Sequence, residues 1–225
     1  MKYLKILLLV FMAAICLQSR AQGINSDQPL KGMRIGVIGD SYVKNHLEPV
    51  EYTWHYKFAQ KYGMEYFNYG LNGNCIAQDR ARFGEAMFTR YAAMADSLDY
   101  VVVIAGHNDT YMLDSMGGFE VFRERLDILC RGLIDKYPTA KIFFFTRWTC
   151  DSFAGSDAER VVDAMIEIGG RHGIPVLDCA RDSGIYAASE AFREIYFQRK
   201  TDDAHLNARG HDRFLRRAES FLLQY

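Results

Sequence analysis

Five short runs of apolar, β-branched or aromatic residues recur at long intervals, at 34–38, 65–69, 100–105, 141–146 and 175–178. Their length and composition mark them as strands. The runs at 100–105 and 141–146 are apolar almost without alternation, as expected of strands covered on both faces of a parallel sheet. The segments between them have helical spacing. Trp54, Phe58 and Tyr62 share one side of 53–62, and Phe122, Leu126, Leu129, Leu133 and Tyr137 step by three or four through 119–137. Val161, Val162, Met165, Ile166 and Ile168 mark a third helix over 158–172. A fourth spans 207–223, with Asn207 as its N-cap and Phe214, Leu215, Ala218 and Leu222 as its apolar face. Strands alternating with helices imply right-handed crossovers and a three-layer α/β/α domain.

The first 21 residues do not fit this pattern. Lys2 and Lys5 form a basic start, 7–16 is an apolar stretch, and Ser19-Arg20-Ala21 is a small-x-small cleavage site before Gln22. The expectation is a signal peptide over 1–21, a single domain over 22–225, and export to the periplasm or beyond. The apolar stretch is short for a membrane span, and the bulky Ile15 before Cys16 argues against a lipid-attachment site. Strong membrane association is not expected.

Charge narrows the choice of partners. The chain holds 27 Lys and Arg against 28 Asp and Glu. Without Lys2, Lys5 and Arg20 the balance is 24 to 28, a net charge of −4. No basic stripe points to nucleic acid. Neither a dinucleotide-binding glycine fingerprint nor a phosphate-binding P-loop follows the first run, so no nucleotide cofactor is expected. Cys75, Cys130, Cys150 and Cys179 match no zinc spacing and no small disulfide scaffold. Cys150 and Cys179 both follow strand ends, which makes a bridge between them conceivable. No metal is expected; a cluster of Asp40, Asp202, Asp203 and His205 is conceivable, but no spacing requires it.

In open α/β sheets, ligand sites lie beyond the carboxyl ends of the strands. Reading those ends gives Gly39-Asp40-Ser41 after the first run, 68–74 after the second, and Gly106-His107-Asn108-Asp109 after the third. A further polar stretch, 202–207, precedes the last helix. Gly-Asp-Ser alone is ordinary turn chemistry. Together the blocks hold what acyl transfer from a serine needs. Ser41 supplies a nucleophile, His205 a general base, and Asp202, three residues before it, an acid to orient the imidazole. The N–H groups of Ser41 and Gly73 and the carboxamide of Asn108 are candidate donors to an oxyanion. Asp203 competes with Asp202 but lacks the three-residue relation to His205. Gly70 competes with Gly73 but lies closer to the strand. Asp40 and Asp109 read as turn support, and His46, His55, His172 and His211 as structural or exposed side chains without convergent partners.

These four blocks, in this order and over nearly all of 34–225, resemble the SGNH (GDSL-type) hydrolases. The resemblance implies a flavodoxin-like fold with five parallel strands in the order 2-1-3-4-5. It also implies Ser41 as nucleophile, Asp202 and His205 as its triad partners, and Ser41, Gly73 and Asn108 as the oxyanion hole. Tyr42 departs from the leucine frequent in the family.

The substrate is read from the surrounding loops. Tyr42, Lys44, Asn45, His46, Glu48, Tyr52 and Trp54 follow the nucleophile, and Arg147, Trp148 and Asp151 follow the fourth run. Tyr42, His107 and Trp148 are candidate rim residues, while Trp54 is expected to pack inward from its helix. Aromatic rings beside polar side chains suit a sugar, and no long apolar lid is evident. The expectation is a serine esterase of small-molecule or glycan esters, with O-acetyl groups on carbohydrates leading. A lysophospholipase or thioesterase, and a silent glycan-binding module, are the alternatives.

Overall fold

The computed structural model describes residues 29–225. The signal-peptide reading of 1–21 and the start of the domain at 22 lie outside the described residues.

Five parallel strands form one sheet in the order β2-β1-β3-β4-β5. They are β1 (Arg34–Gly39), β2 (Glu65–Gly70), β3 (Tyr100–Ile104), β4 (Lys141–Phe145) and β5 (Val176–Leu177). Each falls on one of the expected runs. The order reverses at β1, so the chain crosses to opposite faces on the two sides of that strand. This opens a crevice beyond the C-terminal ends of β1 and β3.

Two cores sandwich the sheet because strand side chains alternate between its faces. Ile35, Val37, Tyr100, Val102, Phe143 and Phe145 belong to one core. Ile38, Val101, Val103, Ile142 and Phe144 belong to the other. The first face is covered by α2 (Trp54–Lys61) and α8 (Ala208–Leu223), which bring Trp54, Phe58, Phe214, Phe221 and Leu222 into it. The second is covered by α5 (Phe119–Lys136) and α6 (Asp157–Arg171), through Phe122, Leu126, Leu129, Val161 and Met165. The 3.6-residue period seats one stripe of each helix on the sheet.

Four short helices complete the chain: α1 (Ser41–Lys44), α3 (Met87–Arg90), α4 (His107–Thr110) and α7 (Glu190–Tyr196). Too few turns for a readable period kept them out of the sequence-based expectation. Among the described residues no helix is long and apolar enough to cross a membrane.

The bridge considered between Cys150 and Cys179 is not formed, and the four cysteines among the described residues are free. Cys179 is buried, with its backbone N–H donating to Thr146 Oγ1 at 2.8 Å. Cys150 sits half-buried in the loop after β4.

Candidate active site

The turn after β1 sets the position of Ser41. Asp40 is the N-cap of α1, its carboxylate accepting the Tyr42 N–H at 2.8 Å. That bond turns the chain sharply out of the strand and leaves Ser41 at the sheet edge. Asp40 is fully buried, and burial raises its pKa to about 7.

His205 and Asp202 come from the loop before α8. Asp202 Oδ1 accepts the N–H groups of Ala204 and His205 at 2.9 and 3.0 Å, closing a turn. Its Oδ2 accepts His205 Nδ1–H at 2.8 Å. With Nδ1 donating, Nε2 is the accepting nitrogen, and it takes the Ser41 hydroxyl at 2.8 Å. Burial pushes the Asp202 carboxyl upward, but the His205 ring and the two backbone donors outweigh this and hold it below the usual range. Ser41, His205 and Asp202 thus form one continuous hydrogen-bonded chain. Asp203 takes no part in it.

The loop after β2 is tied down by polar bonds, those of Asp109 fully buried. Arg90 donates to Asn74 Oδ1, the Tyr69 carbonyl and the Gly39 carbonyl, at 2.9, 2.7 and 2.8 Å. Asp109 accepts the N–H groups of Ile76 and Ala77, both at 3.0 Å. Here the two candidate glycines separate. Gly70 has its N–H bonded to Asn68 Oδ1 at 2.8 Å, and a Cβ there would meet the Lys44 backbone nitrogen at 2.4 Å. Its role is close packing against α1. Gly73 has φ +72°, its carbonyl is held by Arg80 at 2.6 Å, and its N–H donates to no other described residue. The Ser41 N–H is also without a partner among the described residues. Asn108 Nδ2 donates to the Asn74 carbonyl at 3.0 Å and to Asp40 Oδ2 at 3.2 Å.

Two of the expected rim residues are displaced inward. Trp148 is only 2% exposed, and Tyr42 is also buried. Their rings stack at 5.3 Å with 13° between planes, and Trp148 packs edge-on against Phe214. The indole is therefore packed into the core, and Trp148 Nε1 donates to the Ala204 carbonyl at 3.0 Å, behind the histidine loop. Trp54 packs inward, as expected. His107 stays at the edge, its Nδ1 3.4 Å from the Tyr42 hydroxyl. Burial, followed by the charges of Arg147 and His205, lowers its pKa to about 3 and keeps it neutral. The exposed apolar groups of the neighbouring loops include Leu47, Tyr52, Leu71 and Tyr111.

His46 was expected to lack partners, yet its ring lies parallel to that of His205, centroids 4.1 Å apart. Asn45 and His46 both adopt left-handed backbone conformations, with φ 68° and 47°. Asn45 is fixed through its side chain, which donates to the Pro49 carbonyl at 2.6 Å and pairs with His211 Nε2 at 3.1 Å. No periodic signal could have revealed this contact, because an irregular loop makes it.

A five-stranded parallel sheet in this order between two helical layers, with a serine, a histidine and an acid gathered at its C-terminal edge, defines a flavodoxin-like three-layer α/β/α protein. The chain belongs to the GDSL-like lipase/acylhydrolase family, whose model matches residues 37–213. Among solved structures it is similar to a Lactobacillus plantarum protein at 25% identity, over 87% of this chain and 98% of that one, with a TM-score of 0.74. It shares its fold with an acetyl xylan esterase, at 15% identity over 84% and 98% of the two chains and a TM-score of 0.60. A two-domain esterase active on acetylated mannans aligns at 17% identity, over 86% of this chain and 49% of that one, with a TM-score of 0.63. No curated protein matches the chain in sequence.

Proposed function

We propose that the protein is a serine esterase that removes short acyl groups, foremost O-acetyl groups on carbohydrates, through Ser41, His205 and Asp202. The observation that carries this reading is the chain of two 2.8 Å hydrogen bonds running from Ser41 Oγ through the imidazole to Asp202. Ser41 Oγ attacks the ester carbonyl carbon while its proton passes to His205 Nε2. Asp202 holds the ring in the accepting tautomer and stabilises the imidazolium. The developing oxyanion takes the N–H groups of Ser41 and Gly73 and one N–H of Asn108, which gives up its longer bond, to Asp40. His205 then protonates the leaving alcohol oxygen, leaving an acyl-Ser41 ester. A water, deprotonated by the same imidazole, attacks that ester and releases the carboxylic acid, restoring Ser41.

The acetyl-carbohydrate assignment is supported by two structural neighbours that are esterases of acetylated polysaccharides. A signal peptide over 1–21 would place the enzyme outside the cytoplasm, where such glycans are found. Hydrolysis of 4-nitrophenyl acetate and butyrate, with and without Ser41→Ala, tests the reading. The variant should lose at least about a thousandfold in kcat. Equal rates for the two proteins would refute the esterase; rates rising steadily with acyl length would favour a lysophospholipase or thioesterase.

A further inference from the structure

A tight loop at 80–84 packs against the stretch that carries Gly73. It closes on itself, the Arg80 N–H donating to the Gly84 carbonyl at 3.1 Å and the Phe83 N–H to the Arg80 carbonyl at 2.7 Å. Two of its side chains grip Gly73. Arg80 Nη1 donates to the Gly73 carbonyl at 2.6 Å, and among the described residues no other group does so. The Phe83 ring lies so near the Gly73 Cα that a Cβ there would sit 2.7 Å from Cδ1 and 2.8 Å from Cγ. The Arg80 guanidinium lies over the same ring, 4.4 Å from its centre, a cation–π contact that steadies it. Gly73, with φ +72°, is thus held at its carbonyl and at its Cα. Glycine reaches that conformation easily but leaves it as easily, so something outside the residue must keep it there.

The gripped residue stands beside the nucleophile's turn. Asn74, next in the chain, donates through Nδ2 to the Phe83 and Glu85 carbonyls at 2.9 and 2.8 Å. Its own carbonyl accepts Asn108 Nδ2 at 3.0 Å, and the same nitrogen reaches Asp40 Oδ2 at 3.2 Å. The Leu71 N–H donates to the Gly39 carbonyl at 3.1 Å, tying the start of the stretch to the end of β1. Residues 71 and 74 are therefore fixed against residues 39 and 40, one step from Ser41. The Arg80 charge also favours the ionised form of Asp109, the buried acceptor of the Ile76 and Ala77 N–H groups.

We propose that Arg80 is a positioning residue for the ester hydrolysis: through the Gly73 carbonyl, and backed by Phe83, it keeps the Gly73 N–H aimed at the oxyanion. This rests on the esterase reading of Ser41. Donors to an oxyanion are effective because they are fixed before the charge develops, so that none has to be ordered during the reaction. A glycine released on one side loses that advantage while its N–H remains present. Arg80 acts through Gly73 and does not touch the substrate, so its effect falls on kcat rather than KM.

Kinetics on 4-nitrophenyl acetate and on O-4-nitrophenyl thionoacetate test this in the wild type, Arg80→Ala, Arg80→Lys and Arg82→Ala. The thionoester puts sulfur, a poor hydrogen-bond acceptor, where the oxyanion would form. The ratio of kcat/KM for the oxygen ester to that for the sulfur ester therefore reports the oxyanion donors, which a general loosening of the fold would not move. Arg80→Ala should lower kcat on the acetate about 10- to 100-fold with KM nearly unchanged, and the oxygen-to-sulfur ratio should fall with it. Arg80→Lys, with its charge on a stem one bond shorter, should lie between, and it decides the matter if Arg80→Ala does not fold. Arg82→Ala, an exposed neighbour on the same loop, should keep the native kcat and ratio. Native kcat in the Arg80 variants, or a lower kcat with an unchanged ratio, would overturn the proposal and leave the esterase reading standing. A wild type without Ser41-dependent hydrolysis would refute the esterase reading and take this inference with it.

Discussion

The rings of His46 and His205 lie parallel, their centroids 4.1 Å apart and their planes 13° from each other. One face of the proposed general base is thereby closed, and its imidazole cannot swing away from Ser41 on that side. Burial, and then the neighbouring His205 charge, holds the His46 pKa below its ordinary value, so His46 is the neutral partner when His205 takes the proton. An aromatic pair of this kind contributes about 0.5–1.5 kcal/mol. His46→Ala should lower kcat about 3- to 10-fold with little change in KM, and His46→Phe should recover most of the loss. Steady-state kinetics of the two variants check this; a Phe variant as slow as the Ala variant would show that stacking is not what matters.

The two glycines after β2 should respond differently to alanine. At Gly70 the new Cβ would press on the α1 backbone, which has no room to move. Gly70→Ala should cost stability first, lowering Tm sharply or preventing folding. At Gly73 the Cβ would meet the Phe83 ring at 2.7 Å, and the φ of +72° would be strained. Gly73→Ala should fold but lose about 10²- to 10³-fold in kcat as its N–H is displaced from the oxyanion, equivalent to about 2.7–4 kcal/mol. Thermal melts beside kinetics separate the two effects.

Asp40 carries a pH signature. Burial, the largest influence, raises its pKa from 3.8 to about 7 in the folded state. Between those values the native state holds a proton that the unfolded chain has released. Stability therefore falls as pH rises through this window, and the cost is complete above about pH 7. The span corresponds to at most about 4 kcal/mol. Asp40→Asn, which cannot ionise, should gain on the wild type by up to that amount between pH 4 and pH 8, whatever constant penalty it pays for a poorer bond to Asn108. Chemical denaturation across this range checks the slope; a difference independent of pH would contradict it.

Trp148 supports the histidine loop from behind. Trp148→Phe keeps the stack on Tyr42 but leaves the Ala204 carbonyl without its donor, 3.0 Å away in the native protein. A buried carbonyl so stranded costs about 1–3 kcal/mol. The turn joining Asp202 to His205 should loosen, so Tm and kcat should fall together while KM stays near its native value. A variant with native Tm and kcat would show that the bond contributes nothing.

Periodicity was enough to place the five strands and the four long helices, because each must bury a face and the face repeats along the chain. The short helices α1, α3, α4 and α7 left no such trace. Ser41 and Asn108 could be picked out as polar groups at strand exits, which the topology of a parallel sheet brings to one edge, and Asp202 and His205 as an acid and a histidine three residues apart before the last helix. The division of labour between Gly70 and Gly73 depends on backbone contacts with α1 and Arg80, which no local pattern encodes. The inward turn of Trp148 and the stacking of His46 on His205 likewise arise from loops meeting across the sheet edge. Local spacing records which residues share an element. Which groups meet, and which remain without a partner, follows from how separate loops are packed together, and in this protein that packing surrounds the nucleophile.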